Sequence, residues 1–134
     1  MINDKDLMKI AEEARKKAYT PYSRYKVGAA LVGKDGKIYT GCNIENATFT
    51  PTVCAERTAF FKAISEGTTE FEKIAITGAK EGETSDNCTP CGVCRQVMAE
   101  FCDKNFKLVL GNSDNIKTYT LDEILPFSFT KKEL

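Results

Sequence analysis

Apolar residues recur at helical spacing within the first twenty positions of the chain. The stretch DLMKIAEEARKKAY places an apolar stripe along one side of a helix, which predicts a helix over residues 6–19. Asn3 or Asp4 is suited to cap the first turn through a side-chain oxygen. We expect the helix to end before Thr20-Pro21, because the residue that precedes a proline is disfavoured in the helical conformation.

Two short apolar runs follow, over residues 27–32 and 37–41. They flank a segment that contains Asp35 and Gly36, and an Asp-Gly pair between apolar runs is a strong signal for a β-hairpin. The pattern therefore predicts that the first two strands pair with each other through a tight turn.

The rest of the chain alternates between helical and strand patterns. Further helices are predicted over residues 54–66, 92–101 and 121–125, and further strands over residues 73–78, 107–111 and 116–120. Gly67 is a natural stop for the second helix, since glycine is common directly after helix ends. This order of elements indicates an α/β domain with a mixed sheet layered by helices. The length of 134 residues suits one domain, which we expect to span residues 1–134.

The balance of charges narrows the class of ligand. Lysine and arginine together number 19, as do aspartate and glutamate, so the formal net charge is zero. This balance disfavours binding to a long nucleic acid and favours a small or weakly charged ligand. No segment approaches the ~20 apolar residues that span a bilayer, and the first residues lack the pattern of a secretory signal. We therefore expect a cytoplasmic protein with reduced thiols and no membrane partner.

Six cysteines, in a chain without histidine, carry the candidate chemistry. Residues 88–94 read CTPCGVC, and on a helix that begins near Cys91 the side chains of Cys91 and Cys94 share one face and can chelate a metal. Cys54 starts another predicted helix, where the helix dipole favours its thiolate. Glu56 follows two residues later and is placed to move protons beside a metal ligand.

Four blocks of sequence around these residues resemble a known enzyme family. The segments TPYSRYKVGAAL, GCNIENA, CAERTAFFKAISEG and PCGVCRQV are similar to successive blocks of the small, homotetrameric zinc-dependent cytidine deaminases, over roughly residues 5–129. The resemblance implies a three-layer α-β-α fold with a mixed five-stranded sheet. It also implies hydrolytic deamination of cytidine and deoxycytidine to uridine and deoxyuridine in pyrimidine salvage, by a zinc-activated hydroxide.

The resemblance assigns a role to each matching residue. It implies one zinc ion per chain bound by three cysteines, a proton-shuttling glutamate, and an arginine that hydrogen-bonds the ligand sulfurs. It further implies two residues that bind the sugar hydroxyls, a backbone N–H that holds the pyrimidine carbonyl, and two pocket aromatics, one of them lent by a neighbouring subunit. The zinc ligands are Cys54, Cys91 and Cys94, the proton shuttle is Glu56, and the arginine is Arg57. The sugar-binding residues are Asn43 and Glu45, and the backbone N–H belongs to Ala55. The pocket aromatics are Tyr25, where the family usually has Phe, and Phe129, which is the one lent by the neighbouring subunit.

The remaining cysteines leave one structural alternative open. A fourth thiolate from Cys88 would close the metal site and make the zinc purely structural. We expect Cys88 to be free and partly exposed, because Pro90 extends the chain after it and Glu56 serves a purpose only at an open site. Cys42 and Cys102 are expected to be small core residues.

Other functions and two residue assignments also stay open. The alternatives are a deaminase for a nucleoside analogue such as blasticidin S, an editing enzyme on a polynucleotide, a four-cysteine structural zinc module and a thiol redox protein. Asn43 and Glu45 favour a free ribosyl pyrimidine over the first two. Phe127 competes with Phe129 as the aromatic lent to a neighbour. Arg95 is as well suited to a surface or subunit contact as to support of the ligand sulfurs.

Overall fold

Five strands form a central sheet with helices on both faces in the computed structural model, which describes residues 1–134. The helices are α1 (Asp4–Arg15), α2 (Ala55–Ser65), α3 (Gly92–Phe101) and α4 (Leu121–Ile124), and a 3₁₀ turn covers Lys131–Glu133. The strands are β1 (Tyr25–Gly33), β2 (Ile38–Cys42), β3 (Phe71–Lys80), β4 (Lys107–Asn112) and β5 (Asn115–Thr120). Every predicted helix and strand is present. The longest helix, α1, has 12 residues, and no helix has the length and apolar character needed to cross a membrane.

The sheet is mixed, as predicted. Its strand order is β2-β1-β3-β4-β5, with β3 and β4 parallel and all other neighbours antiparallel. Parallel neighbours need a crossover connection, which α3 supplies between β3 and β4. The predicted hairpin is confirmed, since β1 and β2 pair with Gly28 opposite Cys42 and Val32 opposite Ile38.

Alternate residues of the three central strands face opposite helix layers, which confirms the predicted three-layer α-β-α fold. On one face, α1 covers a small core together with apolar residues of β1, β3 and β4. The members of that core are Leu7, Met8, Ala11, Ala30, Val32, Ala75 and Val109. On the other face, α2 and α3 cover a larger core, whose central members are Ala29, Leu31, Ala55, Ala59, Phe60, Ile74, Ile76, Met98, Leu108 and Leu110. The alternation follows from the strand repeat of two residues.

Both helix layers approach the sheet closely at a glycine. A Cβ atom at Gly28 would lie 2.1 Å from the carbonyl oxygen of Ala11 in α1. A Cβ atom at Gly41 would lie 2.3 Å from the carbonyl oxygen of Ala55 in α2. The missing side chain at Gly41 therefore lets the first turn of α2 lie directly on β2.

Helix α1 ends at Arg15, four residues before the predicted end. The cause is a backbone pairing that the local pattern does not reveal: the amide of Tyr19 donates to the carbonyl of Asn43, and the amide of Glu45 donates to the carbonyl of Tyr19. These bonds hold Tyr19 in an extended bridge beside Ile44. A residue in such a bridge cannot also continue a helix.

Strands β1 and β3 are both longer than predicted. Their pairing runs from Tyr25 opposite Lys80 to Gly33 opposite Phe71, with an irregularity at the last pair. The extra residues have little apolar alternation, so only the pairing identifies them as strand. The extension of β1 places Tyr25 at the end of the sheet where the candidate site lies.

Candidate metal centre and active-site pocket

Two helices begin with a cysteine in the N-cap position. Cys54 is the N-cap of α2 and Cys91 is the N-cap of α3, and neither side chain caps its own helix. The first N–H groups of a helix lack intrahelical partners and carry partial positive charge. Both sulfurs therefore lie where negative charge is favoured.

The sulfurs of Cys54, Cys91 and Cys94 form one cluster. The Sγ atoms of Cys54 and Cys91 are 3.7 Å apart, those of Cys91 and Cys94 are 3.6 Å apart, and all three lie within 4.8 Å of one another. Sulfur ligands at about 2.3 Å from a tetrahedral zinc would be separated by about 3.8 Å. The spacing of the cluster therefore fits a zinc ion.

Ionisation of all three sulfurs at once would require a cation. Hydrogen bonds from Cys94, Arg57 and Cys91 outweigh burial and lower the pKa of Cys54 to about 5. Contact with the Cys54 sulfur and burial raise the pKa of Cys94. Sulfurs at this distance repel one another when all are ionised, so three thiolates require a positive ion between them. Arg57 supplies part of the positive charge, since its Nη2 donates to the Cys54 sulfur over 3.3 Å.

Glu56 is buried next to the cluster, with 4% of its surface exposed. Burial raises its pKa to about 7, and the negative charge of Cys54 acts in the same direction. Glu56, Cys54 and Cys91 line the same cavity. The carboxyl group is therefore shielded from bulk solvent but faces the space beside two of the three sulfurs.

Cys88 lies outside the cluster. It is free, as predicted, but it is buried, with 9% of its surface exposed, so the expected partial exposure was wrong. Its sulfur lies over Gly78, where an added Cβ atom would come within 2.8 Å of it. Burial raises the pKa of Cys88 to about 11, so its thiol is neutral at physiological pH. Four-cysteine closure of the site has no support in this geometry.

The cavity beside the cluster has a volume of about 360 Å³. Its walls include five residues predicted to belong to the site besides Cys54 and Cys91, namely Tyr25, Asn43, Glu45, Ala55 and Glu56. The structure does not bring Phe129 or Phe127 to it. Both belong to the C-terminal segment and are exposed, with Phe127 fully so.

Asn43 and Glu45 also hold the walls of the cavity. The Asn43 side chain accepts from the amide of Val27 over 2.9 Å and donates to the carbonyl of Tyr25 over 2.8 Å. Glu45 accepts from the amides of Tyr22 and Ser23 at 3.0 and 3.1 Å, and its second oxygen contacts the Ser23 hydroxyl. The hydrogen bonds from Ser23 outweigh burial and lower the pKa of Glu45, which keeps it ionised.

Arg95 supports the segment that precedes Cys91. Its Nε donates to the carbonyl of Pro90 over 2.8 Å, and its Nη1 donates to the carbonyl of Ile124, the last residue of α4. These contacts connect the start of α3 to α4. Arg95 thus makes a bracing contact within the chain, which sequence reasoning did not foresee.

Several cavity residues were missed by the sequence analysis. They are Ser23, Val27, Thr52, Val53, Asn87 and Thr89. Cys88, which was considered as a fourth metal ligand, lines the cavity as well. Ser23 and Val27 stand within the first quoted block, so their proximity in sequence to Tyr25 was the available signal. Asn87 and Thr89 belong to a connection of irregular structure, for which apolar periodicity gives no guidance.

Comparisons with known proteins agree with this arrangement. A family model for the cytidine and deoxycytidylate deaminase zinc-binding region matches residues 1–110. A cytidine deaminase from Halalkalibacterium halodurans is 49% identical over 129 residues, which cover 96% of this chain and 95% of that protein. A cytidine deaminase from Sporosarcina psychrophila is 48% identical over 125 residues, which cover 92% and 89%. The crystal structure of a cytidine deaminase from Burkholderia pseudomallei has a TM-score of 0.87 and 44% identity, covering 96% of this chain and 100% of that one.

Proposed function

Because the chain belongs to the cytidine and deoxycytidylate deaminase family, we propose that it hydrolyses cytidine and deoxycytidine to uridine and deoxyuridine with release of ammonia. One observation carries the proposal: two sulfurs of a zinc-sized cysteine cluster and a buried glutamate line one small cavity. A structural zinc would need a fourth protein ligand, and Cys88 lies outside the cluster.

The reaction requires an activated water and a carrier of protons. Cys54, Cys91 and Cys94 would hold the zinc ion, which when bound supplies Lewis-acid activation of water at neutral pH. Glu56 takes one proton of the attacking water and delivers it to the ring nitrogen N3, and it then carries the second proton of that water to the departing amino group. The oxygen of water thus replaces the amino group at C4, and ammonia leaves. Burial keeps the Glu56 proton away from bulk solvent during this transfer.

Residues of the cavity wall bind the nucleoside in this proposal. Asn43 and Glu45 bind the sugar hydroxyls, the Ala55 N–H at the start of α2 holds the pyrimidine carbonyl, and Tyr25 covers the base or sugar. A volume of about 360 Å³ suits a free nucleoside and leaves little room for flanking nucleotides. The existing bonds of Asn43 and Glu45 to the backbone fix both side chains in place before substrate arrives.

Assembly into a homotetramer with shared sites is part of the proposal. Phe127 and Phe129 are exposed in the single chain, as are Phe49 and Phe61. Aromatic side chains are enriched at protein–protein interfaces relative to the rest of the surface. In this assembly Phe129 closes the cavity of a neighbouring subunit.

We assign the enzyme to the cytoplasm, with residues 1–134 as one catalytic domain. All six cysteines are free, as expected for a compartment that keeps thiols reduced. Helices on both faces pack against one sheet, which supports a single folding unit.

The proposal is tested by ammonia release from a panel of substrates. The zinc-loaded protein is expected to deaminate cytidine and deoxycytidine, and to act poorly on cytosine, which lacks the sugar. Faster turnover of blasticidin S than of cytidine would overturn the nucleoside assignment, and no turnover of any substrate would overturn the enzyme class. Light scattering on the same sample is expected to give the mass of four chains.

A further inference from the structure

The connection between β3 and α3 contains a buried serine. This segment, residues 81–91, leads from the sheet to Cys91 and forms a wall of the cavity through Asn87, Cys88 and Thr89. Most of its side chains are exposed, but Ser85 has only 1% of its surface exposed. A buried polar side chain in an irregular segment needs hydrogen-bond partners, and its partners identify what the segment is fastened to.

Ser85 is bonded on two sides. Its hydroxyl oxygen accepts from the amide of Gly78 in β3 over 3.0 Å, and its carbonyl accepts from Asn112 Nδ2 over 2.7 Å. Asn112 is 8% exposed, and its Oδ1 accepts from the amides of Asp114 and Asn115 at 2.9 and 3.0 Å. The hydroxyl of Ser85 therefore binds the segment to β3, and its carbonyl binds the segment to Asn112 at the β4–β5 turn.

We call the two hydrogen bonds of Ser85, to Gly78 and to Asn112, the Ser85 anchor. Gly78 connects this anchor to the cavity. Its carbonyl accepts from the Tyr25 hydroxyl over 3.3 Å, and the Cys88 sulfur covers the position where a Cβ would be. Tyr25 and Cys88 both line the cavity. The bond between Gly78 and Ser85 therefore holds the segment against β3 at the same residue that contacts Tyr25 and Cys88.

We propose that Ser85 and Asn112 are positioning residues for the nucleoside pocket, acting through the wall formed by Asn87, Cys88 and Thr89. The inference rests on the proposed function, because it assigns the wall to substrate binding. Neither residue lines the cavity, so both act from behind the wall. The start of α3 has its own support, since Arg95 holds the carbonyl of Pro90. Loss of the Ser85 anchor should therefore weaken nucleoside binding while zinc stays bound.

Asn112→Asp removes one contact and keeps the others. An aspartate oxygen can still accept from the amides of Asp114 and Asn115, but the donor to the Ser85 carbonyl is lost. Ser85→Ala is the second variant, and it deletes the acceptor for the Gly78 amide. Tyr39→Phe is the matched control, because it removes a partly buried hydrogen bond of 2.6 Å to Thr68 on residues outside the cavity.

The measurements are KM and kcat for cytidine, zinc content, melting temperature and amide hydrogen exchange of residues 84–90. We expect both anchor variants to raise KM by roughly tenfold, with kcat within about twofold and one zinc per chain. Exchange over residues 84–90 should become faster. Tyr39→Phe should lower the melting temperature without raising KM.

Two results would overturn the inference: a KM within twofold of the wild type in both anchor variants, or an equal rise in Tyr39→Phe. Zinc loss in the anchor variants would contradict the separate support of the metal site. If the wild type deaminates no nucleoside, the proposed function fails. Hydrogen exchange, which needs no substrate, then decides alone whether Ser85 and Asn112 hold the segment.

Discussion

The guanidinium of Arg57 donates a hydrogen bond to the sulfur of Cys54 over 3.3 Å, from one turn further along the same helix. Contact with Cys54 and Cys94 raises the pKa of Arg57, so the group stays charged. Three thiolates around a divalent cation carry a net charge of minus one, which weakens the ion as an acid toward water. Arg57 opposes that excess of negative charge at the sulfur itself.

Loss of the Arg57 charge should therefore weaken metal binding. We expect Arg57→Gln to lower zinc affinity by about 10- to 100-fold, the range found for residues that hydrogen-bond metal ligands. Titration against a chelator measures the effect. Arg57→Lys keeps the charge but not the planar donor group, so its zinc affinity should lie between those of the wild type and Arg57→Gln. Wild-type affinity in Arg57→Gln would contradict this role.

The contact of α2 with Gly41 predicts a metal defect from a substitution outside the cavity. In Gly41→Ala the new methyl group would lie 2.3 Å from the Ala55 carbonyl oxygen, so the first turn of α2 must shift. We expect a destabilisation of about 3 kcal/mol and reduced zinc content. Gly28→Ala is the control, because it displaces α1 on the opposite face. Equal zinc content in the two purified variants would count against the prediction.

Glu45 is expected to affect substrate binding more than metal binding. Removal of a charged hydrogen-bonding group costs about 1.5–3 kcal/mol, so Glu45→Ala should raise KM for cytidine by about 10- to 100-fold. The zinc content should not change. Ser23→Ala, which removes one contact of Glu45 but keeps its carboxylate, should have the smaller effect. Cytidine kinetics like those of the wild type in Glu45→Ala would remove the sugar-binding assignment.

Asp4 should make the free energy of unfolding depend on pH in the acidic range. Its carboxylate binds Lys73 Nζ at 2.8 Å and Lys107 Nζ at 2.5 Å, and Lys73 is buried. Burial alone raises the pKa of Asp4, but the hydrogen bonds and charges of Lys107 and Lys73 lower it further than burial raises it. Because the folded pKa lies below the unfolded one, the stabilisation is complete above the unfolded value of about 4 and disappears as pH falls through the folded value.

Thermal unfolding of Asp4→Asn as a function of pH measures this contribution. We expect the variant to be less stable by about 1–3 kcal/mol at pH 7, and the difference to shrink below about pH 4. A difference that stays constant down to pH 2 would show that the charge of Asp4 is not its cause. The metal site is remote from this contact, so zinc content should be equal in both proteins.

The pattern of residues predicted the elements and the cysteine cluster because both depend on short spacings. The spacing of three residues places Cys91 and Cys94 on the same side of a helix start whatever the rest of the fold is. The helical pattern of the residues after Cys54 indicates that a helix starts there. The end of α1 was not predictable in the same way, because Tyr19 is held by the backbone of Asn43 and Glu45, more than twenty positions away. The burial of Cys88 also depends on a tertiary contact, because its sulfur packs on Gly78 of β3.

One experiment checks whether the cysteine cluster is an open catalytic site in which Glu56 carries protons. Zinc content and ammonia release from cytidine are measured side by side for the wild type and Glu56→Gln. We expect one zinc per chain in both proteins, with release at least about a hundredfold slower in Glu56→Gln. Wild-type release in Glu56→Gln, or a wild type that binds one zinc and releases no ammonia, would overturn this assignment.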